Sequence, residues 1–477
     1  MEEEIRKEFM EMIKLLEEGK LQEFKQKATE CPPVDIAEGL EEIEDEGRVL
    51  RVFRMLPKDI SSDVFSYMTS EQQQLIAESA TNAELKALVD DMFMDDTVDF
   101  LEEMPANVVK KVLQNADEGT RKTINQFLNY PENSAGSLMT IEYVDLHDYF
   151  TVRKAMDYIR RTGIDKETVY TCYVIDDQRR LVGQVSLRKL IIAPESACIR
   201  DIMDTNIVSA ATTDDQEAVA DDFRRYDLTS IAVCDKEGRL VGIITIDDIV
   251  DVIQDENTED IKKMAAIIPS DEDYMKTSVW SLVAHRLPWL MLLMISATFT
   301  STIITHFETL LSGAVLLTAF IPMLMDSAGN SGSQTSVTVI RNLALGEIEL
   351  RDWPHVLAKE IGVAIVSGAA LALVNFLRII IFTSTSMMIA AVVSVTLFCT
   401  VIIAMIVGCL LPIGAKKLGF DPAVMASPMI TTIVDACSLM IYFLIDAGAV
   451  RKIFPADRRQ GLPLPRLQRS SRRPFCV

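Results

Sequence analysis

The pattern of apolar and polar positions divides the chain into three regions with different periodicities. Residues 1–130 carry short amphipathic helical repeats that are broken at Pro57, Pro105 and polar turns. Residues 131–254 alternate between β-branched strand patterns and helical patterns, and long apolar runs follow residue 276. We therefore predict an all-α superhelical N-terminal domain, an α+β middle region and a helical membrane domain.

The apolar runs of the last region are long enough to cross a bilayer, which needs at least about 17 mostly apolar residues. The N-terminus is acidic and amphipathic, so it does not resemble a secretory signal and we expect it to stay in the cytosol. Five spans then place the 326–355 loop and the Lys416-Lys417 turn inside, in line with the positive-inside bias. The five predicted spans are 287–306, 309–325, 356–382, 387–413 and 422–444.

A degenerate repeat lies in the middle region. The segment VIDDQRRLVGQVSLRKLI (174–191) aligns with VCDKEGRLVGIITIDDIV (233–250). Each copy predicts a strand, a turn, a second strand and a helix. This arrangement resembles the cystathionine-β-synthase (CBS) domain, which normally occurs as a tandem pair, and here it covers about residues 137–255.

Charge is distributed unevenly over these regions. Residues 1–275 carry a net charge of −29 and residues 276–477 carry +6, which together give −23 for the 477-residue chain. The sign excludes a basic nucleic-acid binder, and the 49% hydrophobic content excludes a disordered chain. The 8 cysteines form no C-x-x-C pair, so neither a disulfide scaffold nor a zinc module is expected.

Two sets of polar residues each share one helical face: the first begins at the end of the second predicted span, and the second lies in the last span. A central aspartate in a membrane helix costs about 2.5–3.5 kcal/mol on insertion scales, so it needs a function. Serine and threonine alone would be explained by hydrogen bonds between helices. The first set is Asp326, Asn330 and Gln334, and the second is Ser427, Thr431, Asp435 and Ser438.

Asp435 changes the interpretation of these polar faces. The last two spans contain no lysine or arginine that could neutralise it, and Arg378 in the third span is the only comparably placed cation. Water and a mobile cation explain such a carboxylate best. The neighbouring donors are carboxylate, amide, hydroxyl and backbone oxygens, and Cys437 points away from them on the helical wheel, so hard divalent ions are favoured.

At these residues the chain, over residues 1–452, resembles the family of MgtE-type magnesium channels. The resemblance implies a homodimer with five membrane helices per subunit, a pore on the two-fold axis and a location in the bacterial cytoplasmic membrane. It implies transported Mg²⁺ and no enzymatic activity. The motifs are YPENSAGSLMT (130–140), TEDI (258–261), FIPMLMDSAGNSGSQTS (320–336), IRNLALGEIELRDW (340–353) and DPAVMASP (421–428).

The resemblance also assigns pore residues. It implies that Asp435 holds a hydrated Mg²⁺, with further contacts at Thr431 and Ser427. The family commonly has Gly-Gly-Asn where this chain has Ala328-Gly329-Asn330, and Asn or Gly at the position of Ser427, which puts the preference for Mg²⁺ over Mn²⁺ or Co²⁺ in doubt. The expected pore-lining residues are Asp326, Asn330, Gln334, Ser438 and Asp421.

The acidic N-terminal region predicts feedback. Divalent ions bound between acidic faces cancel their repulsion, so cytosolic Mg²⁺ would draw the N-terminal and CBS domains together and close the pore. The family similarly uses acidic interfaces and a connecting plug helix. The candidate sensor residues are Asp90, Asp91, Asp95, Asp96, Asp247, Asp251, Asp255, Glu256 and Glu259.

CBS pairs also bind nucleotides. The second copy keeps Thr245 and Asp248, where a carboxylate can accept ribose hydroxyls, whereas the first has Ser186 and Lys189. ATP or another adenine nucleotide is therefore a candidate regulator, and a pair that only dimerises is the alternative.

We predict six segments and keep three other functions open. The alternatives are a secondary divalent-cation transporter coupled to protons or Na⁺, a membrane-anchored nucleotide sensor, and a structural membrane protein. A Walker loop is absent, which argues against an ATP-driven pump. The segments are a helical sensor domain (1–130), CBS domain 1 (131–198), CBS domain 2 (199–254), a connecting helix (255–275), the pore domain (276–452) and a basic, non-native tail (453–477).

Overall fold

The computed structural model of the chain divides into two compact units, residues 1–256 and 257–477. Each unit is described by itself below. The residues that the structure describes are 3–270, 274–275, 277–306, 318–383, 386–425 and 427–453.

Short helices build the first part of the first unit, as the amphipathic pattern predicts. Thr81 and Glu84 form a capping box at the start of one helix, and the Asp45 and Asp117 side chains cap two others. Pro57 and Pro105 directly precede helices, where a missing N–H costs nothing. The helices are α1 (Glu3–Glu17), α2 (Leu21–Glu30), α3 (Pro33–Glu41), α4 (Glu46–Met55), α5 (Lys58–Ser66), α6 (Ser70–Ser79), α7 (Asn82–Asp91), α8 (Met94–Glu103), α9 (Ala106–Asn115) and α10 (Glu118–Phe127).

The repeat forms two three-stranded sheets with the same topology. In each sheet a short parallel strand pairs with a central strand, which pairs antiparallel with the strand carrying Leu-Val-Gly. The predicted strand–turn–strand–helix order is confirmed. The elements are α11 (Ala135–Leu138), β1 (Asp145–His147), α12 (Val152–Thr162), β2 (Thr171–Ile175), β3 (Leu181–Ser186), α13 (Leu187–Ile192), α14 (Ile199–Ile202), β4 (Ser209–Ala211), α15 (Gln216–Tyr226), β5 (Ser230–Cys234), β6 (Leu240–Thr245) and α16 (Ile246–Met264).

The glycine of each Leu-Val-Gly triplet is needed for packing. A Cβ on Gly183 would lie 2.5 Å from the sulfur of Met203, and a Cβ on Gly242 would lie 2.6 Å from the sulfur of Met139. The two methionines occupy corresponding positions in GSLMT (136–140) and RDIMD (200–204), which precede the two copies of the repeat. The two copies thus solve the same packing problem in the same way.

Long apolar helices form the second unit. A Cβ on Gly408 would lie 2.3 Å from the carbonyl oxygen of Gly332, so two helices cross there with their backbones in direct contact. The helices are α17 (Val279–His306), α18 (Ile321–Ala344), α19 (Trp353–Phe382), α20 (Met387–Lys417) and α21 (Ser427–Ile453).

The predicted count of five spans is not confirmed. Within the described residues, Val279–His306, Leu350–Phe382 and Met387–Lys417 are long and apolar enough to cross a membrane, and Met429–Ile445 is a shorter apolar helix. Most of the predicted 309–325 span lies outside the described residues, as does the 454–477 part of the predicted tail. The helix α18 is less apolar than these three helices, because polar and small residues interrupt its sequence.

Candidate functional site

The membrane aspartate has an unsatisfied polar atom. Asp435 lies in α21, and its Oδ1 is buried without a hydrogen-bond partner in the part of the chain that the structure describes. The Asp326 carboxylate on α18 is close enough to act on it electrostatically. Since a buried charge without a partner is costly, this position suits a carboxylate that meets a cation or water.

Small residues bring α18 and α21 into contact at this level. A Cβ on Gly329 would lie 3.0 Å from Thr431 Cγ2, and a Cβ on Gly332 would lie 3.1 Å from Ile430 and 3.3 Å from Val434. The side chains of Thr431 and Val434 lie on the turn before Asp435. The two predicted polar sets therefore lie on helices that pack directly against each other.

The polar stripe of α18 faces away from its own bundle. Asp326, Asn330 and Gln334 are exposed in the single chain, whereas Ala328 and Gly332 on the opposite side are buried. A charged and amide-bearing face is unfavourable against lipid. This face therefore needs water or another protein surface.

Other predicted pore residues occupy different environments. Ser438 is 2% exposed and donates to the Val434 carbonyl oxygen at 2.6 Å, so its hydroxyl serves the helix backbone. The Arg378 guanidinium donates to Asn375 Oδ1 at 3.0 Å on its own helix. Ser427 begins α21, but its side chain lies outside the described residues.

A second set of carboxylates gathers in the first unit. Asp95 and Asp96 lie in the first turn of α8, and Asp247 and Asp248 lie in the first turn of α16. Glu167 lies near both pairs, after α12. We call the following residues the acidic cluster: Asp95, Asp96, Asp99, Glu142, Glu167, Asp247 and Asp248.

Burial and like charge raise the pKa of several members of the acidic cluster. Burial, then Asp63, Asp247 and Glu142, raise the pKa of Asp96 to about 6. Burial, then Asp247 and Asp248, raise the pKa of Glu167 to about 7. Burial followed by Asp247 raises the pKa of Asp248 to about 6, against a hydrogen bond from Thr245 that lowers it. In each case burial is the largest cause, and the like charges of neighbouring carboxylates add to it.

Two further members differ in their access to water. Burial, then Asp248 and Asp96, raise the pKa of Asp95 well above its ordinary value. Burial, then Asp248 and Asp96, raise the pKa of Asp99 to about 7. The Asp99 side chain is nevertheless exposed in the single chain, so water screens part of this effect. Glu142 Oε2 accepts hydrogen bonds from Thr140 Oγ1 at 2.6 Å and Ile141 N at 3.1 Å, which fix its carboxylate.

The cluster does not form a closed metal cage. Among the described residues, no three or more His, Cys, Asp or Glu side chains are placed to hold a metal ion directly. Mg²⁺ usually keeps several waters and needs only one or two carboxylates. The geometry therefore suits outer-shell contact with a hydrated divalent ion.

The candidate sensor residues separate into two groups in the structure. Asp95, Asp96 and Asp247 belong to the acidic cluster. Asp90 instead pairs with Lys86 at 2.9 Å on its own helix, and Glu256 accepts a hydrogen bond from Gln216. The remaining members outside the acidic cluster are Asp91, Asp251 and Asp255, which are exposed, and Glu259.

Glu259 belongs to the second unit together with Asp421. Lys263 Nζ lies 2.7 Å from Glu259 Oε1 and 2.8 Å from Asp421 Oδ2. Asp421, which we predicted as pore-lining, is thus ion-paired to the end of α16.

Of the two candidate nucleotide residues, Asp248 belongs to the acidic cluster and Thr245 is hydrogen-bonded to it. Thr245 is buried and its hydroxyl donates to Asp247 and to Asp248 Oδ2, the latter at 3.2 Å. Their geometry ties Thr245 and Asp248 to the neighbouring carboxylates.

Four residues of these sites were not among those predicted from the sequence: Asp99, Glu142, Glu167 and Lys263. Asp99 follows Asp95 and Asp96 at helical spacing, and Lys263 follows Glu259 by four residues, so both signals were visible. Glu142 and Glu167 lie far from the other members along the chain, and only the fold brings them close.

Comparison with known proteins agrees with this architecture. Family models match residues 31–133 as "MgtE intracellular N domain", 135–196 and 199–255 as "CBS domain", and 321–445 as "MgtE: Divalent cation transporter". The magnesium transporter MgtE of Thermus thermophilus is 34% identical over 90% of this chain and 96% of its own length. The magnesium transporter MgtE of Bacillus subtilis is 32% identical over 93% of this chain and 98% of its own length.

A solved structure supports the fold of the first unit. The structure described as the soluble part of a magnesium transporter covers 53% of this chain and 99% of its own chain, with 28% identity and a TM-score of 0.51. A helical acidic domain, a CBS pair and apolar helices that carry Asp326 and Asp435 together define a membrane transporter of divalent cations. The chain belongs to the MgtE family of magnesium transporters.

Proposed function

We propose that this protein is a Mg²⁺-selective channel for magnesium uptake, closed by cytosolic Mg²⁺. The observation that carries the proposal is Asp435, whose buried carboxylate oxygen has no partner in the described chain and lies beside the polar stripe of α18. A single carboxylate suits a largely hydrated ion, because Mg²⁺ gives up water reluctantly. Asp435 attracts the ion, and Thr431 and Ser427 lie one and two turns earlier on the same helix.

We further propose that two copies of the chain enclose the ion path. The exposed Asp326, Asn330 and Gln334 support this, since a polar face in a bilayer requires water or a protein partner. A homodimer would place two such faces around one axis. The protein then resides in the bacterial cytoplasmic membrane, with its acidic first unit in the cytosol.

The acidic cluster is the proposed sensor. Two carboxylates about 5 Å apart repel by about 3 kcal/mol at an effective dielectric of 20, so the cluster opposes close packing until a cation neutralises it. Hydrated Mg²⁺ at Asp96, Asp247 and Glu167 would remove this repulsion. A few kcal/mol is enough to shift a two-state equilibrium from mostly open to mostly closed.

An adenine nucleotide would act on the same element. Thr245 ends β6 and Asp248 lies in the first turn of α16. A nucleotide bound at these residues would therefore alter the charge of the acidic cluster. This regulatory role rests on the Thr-x-x-Asp pattern and the position of both residues.

Electrophysiology tests the proposed function. We expect inside-out patches to carry Mg²⁺ current with no cytosolic Mg²⁺ and to lose it when millimolar Mg²⁺ is added to the cytosolic face. Asp435→Ala should abolish the current in both conditions. Thr396→Val is the matched control, because that buried hydroxyl donates only to the Val392 carbonyl oxygen in the described structure.

The alternative is a secondary transporter coupled to protons or Na⁺, in which Asp435 changes its protonation. Tracer Mg²⁺ uptake without current would favour that mechanism. Uptake that persists in Asp435→Ala would contradict both mechanisms and leave the membrane helices without an assigned ion site.

A further inference from the structure

Within the second unit, one ammonium group joins the end of α16 to the segment just before α21. Lys263 Nζ bridges Glu259 Oε1 on its own helix and Asp421 Oδ2, which lies just before α21. The Lys263 side chain is 25% exposed, so both ion pairs are partly shielded from water. Partial shielding makes this bridge stronger than an ordinary surface pair.

Neighbouring contacts continue the same attachment. Arg341 Nη1 on α18 donates to Asn257 Oδ1 at 3.3 Å, two residues before Glu259. Met264 packs against the buried Ile340 and Ala423. Polar, ionic and apolar contacts thus hold residues 257–264 against α18 and the segment before α21.

Lys263 neutralises a concentration of negative charge. Asp260 is half-buried beside Glu259, and burial followed by Asp421 raises its pKa, while Lys263 and Arg341 lower it. Burial lowers the pKa of Lys263, but hydrogen bonds to Asp421 and Glu259 outweigh this and raise it overall. Without Lys263, the carboxylates of Glu259, Asp260 and Asp421 would repel one another, and Arg341 would offset only part of this repulsion.

We propose that Lys263 is a built-in cation latch, whose ammonium fills the place between Glu259 and Asp421 and keeps the end of α16 docked when divalent ions are absent. A free divalent cation would be required there only when the ammonium is missing. Docking of the end of α16 follows from the geometry of this unit, whereas its effect on ion flux rests on the proposed function.

Cross-linking in the full-length chain measures docking directly. An Asn257→Cys/Arg341→Cys pair, joined by a short thiol-reactive reagent in membranes with EDTA, reports the distance between α16 and α18, with single-cysteine variants controlling for native cysteines. We expect Lys263→Met to lower the cross-linked fraction about fivefold, and added Mg²⁺ to restore it. Lys263→Arg should retain cross-linking, as should Lys262→Met, whose lysine bonds the Ser270 carbonyl oxygen instead.

Currents give the second readout. Lys263→Met should raise Mg²⁺ current at submicromolar cytosolic Mg²⁺ about fivefold and raise the Mg²⁺ concentration needed for closure. Unchanged cross-linking of Lys263→Met in EDTA overturns the latch, whatever the currents show. A wild-type chain without Mg²⁺ current overturns the proposed function instead, while the cross-linking comparison still decides the latch.

Discussion

Asp435 in the second unit and the acidic cluster in the first unit are both sets of hard oxygen donors, but their surroundings differ. Asp435 lies near one other carboxylate, Asp326, among helices whose backbones touch at Gly332 and Gly408. The acidic cluster collects seven carboxylates at the starts of two helices and in loops, where water reaches part of them. In an apolar bundle even one charge must be matched to its ion, whereas a wetted cluster can accumulate repulsion that an ion later relieves.

The first prediction breaks the close packing of the second unit. Gly408→Val would force a side chain into the Gly332 carbonyl, so we expect a loss of more than about 3 kcal/mol of stability or failure to assemble. Thermal unfolding and size-exclusion chromatography in detergent measure this. Gly414→Ala on the same helix is the control, since a Cβ there meets no atom within 4 Å. A wild-type melting temperature for Gly408→Val would contradict the described crossing.

The second prediction concerns the pH dependence of the first unit. The raised pKa values of Asp96, Asp248 and Glu167 mean that the folded state binds protons more tightly than the unfolded state. Their contribution is therefore fully present below about pH 4 and is lost as pH rises through about 6–7. After discounting for solvent screening and coupling, we expect a loss of about 3 kcal/mol.

Hydrogen exchange in the full-length chain checks this sign. Protection of α8 and α16, corrected for intrinsic exchange, should be greater at about pH 5 than at about pH 8 without Mg²⁺. Added Mg²⁺ at the higher pH should restore protection. Protection that rises with pH in the absence of divalent ions would show that the cluster does not repel itself.

The third prediction removes one charge from the acidic cluster. Glu167→Gln should stabilise the first unit by about 1–2 kcal/mol at neutral pH without Mg²⁺, because the remaining carboxylates lose a repulsive neighbour. The extra protection conferred by Mg²⁺ should shrink by a similar amount. The same hydrogen-exchange measurement applies, and destabilisation of the metal-free chain would count against the sensor assignment.

The smallest effect is expected outside the cluster. Asp90→Asn removes an exposed pair with Lys86, so we expect a change of at most about 0.5 kcal/mol and an unchanged Mg²⁺ response. A clear loss of the Mg²⁺ response in this variant would show that Asp90 is a sensor residue. The division of the candidate residues into two groups would then be wrong.

The sequence by itself determined the order of the domains and their fold classes. Amphipathic spacing predicted the helices before residue 130, and the Leu-Val-Gly triplets predicted two matching sheets, because local periodicity and turn chemistry specify such elements. Asp435 was identifiable as a candidate because a lone carboxylate in an apolar helix is conspicuous. The count of spans was less certain, because α18 mixes small and polar residues with apolar ones.

Only the tertiary structure decided which polar residues share a site. Glu142 and Glu167 join Asp96 and Asp247 because the fold places loops beside two helix starts, and sequence separation carries no information on such contacts. The same holds for Lys263 and Asp421, which are 158 positions apart yet form an ion pair at 2.8 Å. Electrostatic interaction depends on distance and burial in space, and both quantities exist only once the chain has folded.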